Sequence, residues 1–414
     1  MSIFFKHAIG IDISDASIEM LELKEKGAAV RVVAYRRLEL PVGIVTNGRI
    51  VDPVKLTAKL QETAKLPGFG NFTTRSAVVS LPESQTFIHL FRMPSVISEQ
   101  QLGEAVQYEA DATLPLFLDQ TEHDYQVVNR DQDTQEVLYV ACLKEVVQAY
   151  QQVVSDAGFV LEALEAESSS LARALVPKQS TDAIMLADLG SRTTILTVYD
   201  RQAVNFSENV PIAGQHLTDA IAKQLSLAPA DAEALKKKSG LNSLPTAQAA
   251  EPVLMEIIAA MQKVMRTYQK NAGHPVSRVI ICGGTSLLPG LVEHFSRQLG
   301  IPAVLGDPLS GVVRRDQVFS SQPVILFSTV IGLARRGLNV KALQAGVNLL
   351  RQSKSRSPRF QTKPGRQPRP SLKVSFGKGG WAAKNKRALI MLGILIILAA
   401  VFVILYYIKM MPTG

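Results

Sequence analysis

Three runs of mostly apolar residues separated by short polar turns open the chain: HAIGIDI, SIEMLELKEKG and AVRVVAYRRLEL, within residues 7–40. Their period is that of extended strands, and the pattern predicts a β-meander. The pattern returns over residues 183–212 as AIMLADL, TTILTVYDRQ and AVNFSENVPI. In both copies an aspartate, Asp12 or Asp188, stands next to last in the first run, with Ser14 or Gly190 two positions later. Ser17 and Thr193 then share the same offset. This is an internal repeat, a fold duplicated around a pseudo-two-fold axis. A third signal is VIICGGTSLLPGL, a buried-strand pattern ending in Gly283 and Gly284 before Thr285.

Helical period is predicted around Glu99–Ala112 and Lys144–Gly158, with the strands HDYQVV and EVLYVACL between them. Tyr108, Phe117 and Phe91 in this part are expected to be core. Near the end of the sequence, Ala388–Ile408 offers 21 consecutive uncharged, largely apolar residues. As a helix they span roughly 31 Å, enough for a bilayer core of about 30 Å. Lys384, Lys386 and Arg387 precede this stretch and Lys409 follows it. The positive side stays in the cytoplasm, so residues 1–387 are expected on the cytoplasmic face of the inner (plasma) membrane, with a single pass.

Charge changes meaning once that stretch is recognised. The formal net charge is +9, yet residues 351–387 hold twelve Lys or Arg and no acidic residue. Removing those twelve and Lys409 leaves residues 1–350 at about −4. A nucleic-acid-binding body is therefore not expected, and residues 339–387 read as a basic linker, rich in Pro, Ser and Gly, able to lie against anionic lipid. The two cysteines, Cys142 and Cys282, sit inside apolar runs and suggest neither a disulfide framework nor a metal site.

The residue types in the repeated turns suit one chemistry. A tight bend of small residues presents backbone N–H groups to phosphate oxygens, and Ser or Thr hydroxyls add donors. Asp12 and Asp188 are candidate Mg²⁺ ligands, acting mostly through water because Mg²⁺ dehydrates reluctantly. Ser14, Asp15 and Ser17 of the first bend, and Gly190, Ser191 and Thr193 of the second, are the candidate phosphate-side residues. Gly283, Gly284 and Thr285 are expected to let a ligand approach the backbone closely.

These features resemble the actin–Hsp70–sugar kinase ATPase superfamily, and within it the PilM-like pilus-assembly proteins with their relatives FtsA and GspL. GIDISDASIEMLEL, NGRIVDP, MPSVISEQQLGEAVQYEADATLPL and GGTSLLPGL carry the resemblance, over about residues 5–350. It implies an α/β, two-lobed actin-like fold made of duplicated RNase H-like halves. The first lobe would comprise residues 1–84, 166–182 and 301–338, and the second lobe residues 183–300. A small α/β subdomain of the FtsA and PilM type would occupy residues 85–165. The resemblance further implies ATP with Mg²⁺. Gly214 would open a helix facing the nucleotide, Glu233 and Lys236 would lie near adenine and ribose, and EALEAESSSLARAL would be a helix. Glu165 or Glu167 would line the cleft and orient water.

Two differences bear on activity. Ser14–Asp15 stands where such chains carry Gly-Ser, adding charge near a polyphosphate, and Glu19 replaces a usual Lys. The expectation is a scaffold conditioned by ATP, at most a slow ATPase. A third difference is GVNLLRQ, whose Val347, Asn348, Leu349 and Leu350 are similar to the peptide by which PilN partners dock onto PilM. Together with the apolar stretch it looks like a PilN-type peptide and anchor appended to a PilM-type body, free to dock on its own body or a neighbour's. Implied partners are PilN- and PilO-like inner-membrane proteins, the assembly ATPase, membrane lipid and further copies of the chain. The competing expectations are an FtsA-like division tether and a sugar or acetate kinase.

Overall fold

The structure is a computed structural model that describes residues 7–351 except 28, 67, 115–117, 178, 314–318, 320 and 321. The apolar stretch 388–408, the basic linker beyond residue 351 and Phe117 lie outside the described residues. No helix among the described residues is long and apolar enough to cross a membrane.

The predicted meander forms Ile9–Ile13 (β1), Ser17–Lys26 (β2) and Ala29–Glu39 (β3), with Asp12 paired opposite Glu19. Val45–Thr46 (β4) and Arg49–Ile50 (β5) make a short ribbon whose turn, Asn47–Gly48, has positive φ at both residues. Asn-Gly suits such a turn because its backbone twist matches that of the flanking strands. Pro53–Lys65 (α1) starts where the Asp52 carboxylate accepts from the Lys55 N–H and proline occupies the first turn. Ser76–Leu81 (β6) then runs parallel to β1.

The insertion follows as Thr86–Pro94 (β7), Glu99–Thr113 (α2), Thr121–Arg130 (β8) and Thr134–Leu143 (β9). Its three strands pair in the order β7-β9-β8, and α2 covers them through Leu102, Val106 and Ala110. Phe91 is core as expected, whereas Tyr108 is 77% exposed because it sits on the outer side of α2. Lys144–Asp156 (α3) returns to the first lobe, burying Val146, Val147, Tyr150, Val153 and Val154 in the same core as Ile9, Ile11 and Ile13.

Val160–Ala166 (β10) corrects two expectations. EALEA is strand, not helix, and it pairs in parallel with β6, so it belongs to the first lobe and not to the insertion. Its Ala and Glu content favours helix locally, but burial of Ala163, Leu164 and Ala166 against the sheet overrides that preference. The helix begins only at Glu167–Leu175 (α4).

The second lobe repeats the plan. Ile184–Leu189 (β11), Thr194–Asp200 (β12) and Ala203–Val210 (β13) form its meander. Helices Gly214–Leu225 (α5), Pro229–Ser239 (α6) and Leu244–Ala272 (α7) come next. Arg278–Cys282 (β14), Leu291–Leu299 (α8) and Ala303–Leu305 (β15) complete it. Because β15 pairs with β14, this lobe runs past the expected end at 300. Val312–Val313 (β16) joins the edge of β3, and Ser328–Arg336 (α9) and Val340–Gln344 (α10) end the helical part.

The two large sheets have the orders β10-β6-β1-β2-β3-β16 and β13-β12-β11-β14-β15. Leaving out β16, each reads third, second, first, fourth, fifth, with antiparallel pairs on one side of the first strand and parallel pairs on the other. The repeat read from the two acidic turns is thus a repeat of topology. Residues 339–351, expected in the linker, belong to the folded body: Val347, Leu349 and Leu350 are buried in the core that contains β1 and α3.

Candidate functional site

The two acidic turns meet. Asp12, Ser14, Asp15 and Ser17 from the first, and Asp188, Gly190, Ser191 and Thr193 from the second, line one cavity of about 230 Å³ together with Gly283 and Gly284. Each aspartate ends the first strand of its sheet, so the duplicated topology alone carries both carboxylates to the same place. Asp12 accepts from the hydroxyl of Ser80 on neighbouring β6. Gly283 has φ of +79°, and a Cβ there would lie 2.2 Å from Asp188 Oδ1, so only glycine leaves the carboxylate its room.

Local hydrogen bonds decide what the turns can offer a phosphate. Ser14 Oγ accepts from the N–H groups of Ala16 and Ser17 at 3.2 and 3.0 Å, satisfying donors that an anion would otherwise claim. Asp15 turns away toward the ribbon, where the N–H groups of Asn47 and Gly48 donate to it at 2.7 and 2.9 Å. It also pairs with Arg192 of the opposite turn at 3.5 Å. Its charge is therefore partly neutralised. In the second turn, Gly190 N–H donates to Thr193 O, and the carbonyls of Gly190 and Ser191 accept from the N–H groups of Gly214 and Gln215.

The cavity is rich in negative charge. Burial, and then the neighbouring Asp12, push the Asp188 carboxyl up; burial alone does most of the same to Asp12. Glu19 is raised by burial and by Asp12, although Arg37 donates to it at 2.8 Å. Glu167 is pushed well up by burial, then by Asp12, Asp188 and Glu83. Glu83, itself raised by burial, accepts from Ser168 N–H with one oxygen, while the other is buried without a hydrogen-bond partner. A set of hard oxygen donors short of positive charge fits a divalent cation such as Mg²⁺. Among the described residues no three acidic, His or Cys side chains form a ready cage. The fit is accordingly to an ion that keeps water and phosphate as its remaining ligands.

One residue expected to line the cleft stands elsewhere. Glu165 does not line the cleft: it is buried against α4 and α9, where Arg173 donates to it at 2.6 and 2.8 Å, and Ser170 and Arg336 also donate to it. Burial pushes its carboxyl up, but the Arg173 and Arg336 charges prevail and hold it at about 2. Glu167 does line the cleft, so of the two glutamates it alone can meet water there. Gly214 and Thr285 form the layer behind the second turn, Thr285 Oγ1 donating to Gly190 O at 2.8 Å. Lys236 is buried one step further back, donating to Gly214 O at 2.8 Å and pairing with Glu233 at 2.5 Å. Ser80, Glu83 and Arg192 went unread in the sequence. The signal for the first two is SLPES, polar residues at the end of an apolar strand; Arg192 sits inside a turn already singled out.

The model of a family described as "Type IV pilus assembly protein PilM" matches residues 10–338 of this chain. Cell division protein FtsA of Pseudomonas aeruginosa is 24% identical over 225 residues, 48% of this chain and 53% of that protein. The chain thus spans about half the length of this relative. A solved chain of the "PilM-PilN type IV pilus biogenesis complex" superposes with a TM-score of 0.70 at 20% identity, covering 81% of this chain and 99% of that one. Ethanolamine utilization protein EutJ from Carboxydothermus hydrogenoformans superposes with a TM-score of 0.49 at 18% identity, covering 79% and 89%.

Proposed function

This chain belongs to the family of the type IV pilus assembly protein PilM, and from that premise we propose that it is an actin-like, nucleotide-binding scaffold of the inner-membrane pilus assembly platform. The observation that carries the nucleotide reading is the convergence of Asp12 and Asp188, from two copies of one topology, on a single glycine-edged cavity. Mg²⁺ would supply the positive charge that this group of carboxylates lacks and would bridge them to the phosphates of ATP. Asp12 and Asp188 would hold the ion through water, and the turns Ser14–Ser17 and Gly190–Thr193 would flank the phosphates. Gly283 and Gly284 would lie against the nucleotide, and Glu167 would orient a water through a hydrogen bond. Ser14 already occupies two backbone donors of the first turn. Binding must displace those bonds, which supports a conditioned scaffold with at most slow ATP hydrolysis over a fast enzyme.

The partners in this reading are PilN- and PilO-like inner-membrane proteins, and the chain adds its own anchor through Ala388–Ile408, with the body on the cytoplasmic side. The test is calorimetric titration of a non-hydrolysable ATP analogue, with and without Mg²⁺, into the full chain in detergent. Binding that requires Mg²⁺ and is lost in Asp188→Ala is expected; Mg²⁺-independent or unchanged affinity removes the assignment. Co-purification with the pilus inner-membrane proteins separates this reading from an FtsA-like division tether.

A further inference from the structure

Positive charge in the cavity is scarce and unevenly held. Among the described residues the lining carries six carboxylates, Asp12, Asp15, Glu19, Glu83, Glu167 and Asp188, against two guanidinium groups, Arg37 and Arg192. Arg37 is fixed where it stands. It faces Glu19 across the β2–β3 pair, donates to it at 2.8 Å, and donates to Glu39 at 3.2 Å. Glu19 is buried, so moving Arg37 would leave a buried carboxylate without its cation.

Arg192 is held differently. It belongs to the second turn, and among the described residues its side chain has one polar partner, Asp15 of the first turn. At 3.5 Å the contact is longer than the roughly 2.7–2.9 Å of a strong charge-assisted hydrogen bond. The Arg192 side chain is 35% exposed, and an ion pair so open to water contributes little to stability. Asp15 does not depend on it either. The N–H groups of Asn47 and Gly48 donate to its two oxygens at 2.7 and 2.9 Å. Separating the pair therefore strands neither partner, and Arg192 is the cation of this cavity that can change hands.

We propose that Arg192 is the phosphate-binding cation of this site, exchanging its loose pairing with Asp15 for the phosphate oxygens of the ligand. This rests on the nucleotide-binding function proposed for the cavity and names the side chain that meets the phosphates. A guanidinium presents a planar fork of N–H donors that matches phosphate oxygens in pairs, and it stays charged at any working pH. Its neighbours Ser191 and Thr193 line the same cavity. Its charge also opposes the repulsion between an oligophosphate and the surrounding carboxylates. The exchange has a structural side. It parts an ion pair that joins the turns of the two lobes and leaves Asp15 on the Asn47–Gly48 ribbon, so the ligand takes over a link between the lobes.

The test is calorimetric titration of the full chain in detergent with Mg²⁺, using a non-hydrolysable ATP analogue and inorganic tripolyphosphate as separate probes. Arg192→Ala is expected to bind both about tenfold more weakly or worse, with an unchanged ligand-free melting temperature. Asp15→Asn breaks the same pair yet should bind both about threefold more tightly, because it releases the guanidinium. Opposite signs support the proposal. Weaker binding in both variants overturns it, since the pair would then matter only as a tie between the turns. Equal affinity in Arg192→Ala overturns it as well. Arg192→Lys keeps the charge without the fork and should bind about threefold more weakly than the unaltered chain; equal affinity overturns a direct guanidinium contact. Should Arg192→Ala fail to fold, Arg192→Lys and Asp15→Asn decide. An unaltered chain that binds tripolyphosphate but not the analogue removes the nucleotide reading alone, and the variants then judge Arg192 on tripolyphosphate. An unaltered chain that binds neither probe overturns both. Equal binding of the analogue with and without Arg192 overturns only the role of this residue.

Discussion

Asp188 Oδ1 occupies the space that a side chain at Gly283 would need: a Cβ built on Gly283 lies 2.2 Å away. The end of β11 therefore receives a carboxylate only because its parallel neighbour β14 is followed by a residue without a side chain. The positive φ of Gly283 adds a second reason for glycine there.

Gly283→Ala must move the carboxylate or bend the backbone, at a cost of about 1–3 kcal/mol for a residue forced into this conformation. The expected result is a lowered melting temperature and at least tenfold weaker Mg²⁺–nucleotide binding, measured by thermal denaturation and calorimetry on the same sample.

Asp188→Asn separates stability from binding. It removes one charge from a buried carboxyl that burial and then Asp12 push up, and that in turn helps raise Glu167. The ligand-free variant should be more stable than the unaltered chain, by about 1–3 kcal/mol for a shift of this kind, as read by chemical denaturation. Its nucleotide affinity should no longer respond to Mg²⁺.

The same crowding sets a pH dependence. The folded state raises Asp12 to about 6 and Asp188 to about 7, so it binds protons more tightly than the unfolded chain. That contribution is complete below the ordinary aspartate value near about 4 and is lost as pH rises through the folded values. Ligand-free stability should fall between about pH 4 and pH 7, and Mg²⁺–nucleotide affinity should rise over the same interval because protons compete with the ion. Denaturation and titration at four or five pH values would check both signs.

Glu165 behaves in the opposite sense. Held at about 2 by Arg173 and Arg336, it contributes stability that is present above the ordinary glutamate value and lost as pH falls toward 2. Glu165→Gln strands two guanidinium groups, one of them fully buried, and should cost about 3–5 kcal/mol with little change in nucleotide affinity of the folded fraction. Glu167→Gln should do the reverse, sparing stability and lowering any ATP turnover.

Fold and site were legible to different depths. The duplicated meander could be read because β1 and β11 are buried runs that stop at small polar turns, a pattern local in sequence. The strand Val160–Ala166 could not, since its alanines and glutamates favour helix until the sheet beside it is known. The choice between Glu165 and Glu167 depended on which side of a strand end each faces. Two positions of offset, across a strand-to-helix junction, put one against Arg336 and the other in the cleft. Asn348 reads as part of a docking peptide within a linker, but its partners are not legible, because a lone asparagine among leucines reveals nothing of Asp124, Glu162 and Leu164, which lie 184 to 224 residues away.

The exit of the chain beside Asp124 has a mechanical consequence. Tension carried by the residues beyond Arg351 enters the body at the seam between insertion and lobe, where it meets a few backbone hydrogen bonds in sequence. The cavity lined by Asp12 and Asp188 includes no residue of this seam, so tension reaches it only after the Asn348 contacts part. Loading would then peel one seam open before it disturbed Asp12 and Asp188, and the order of rupture in single-molecule pulling should follow that geometry.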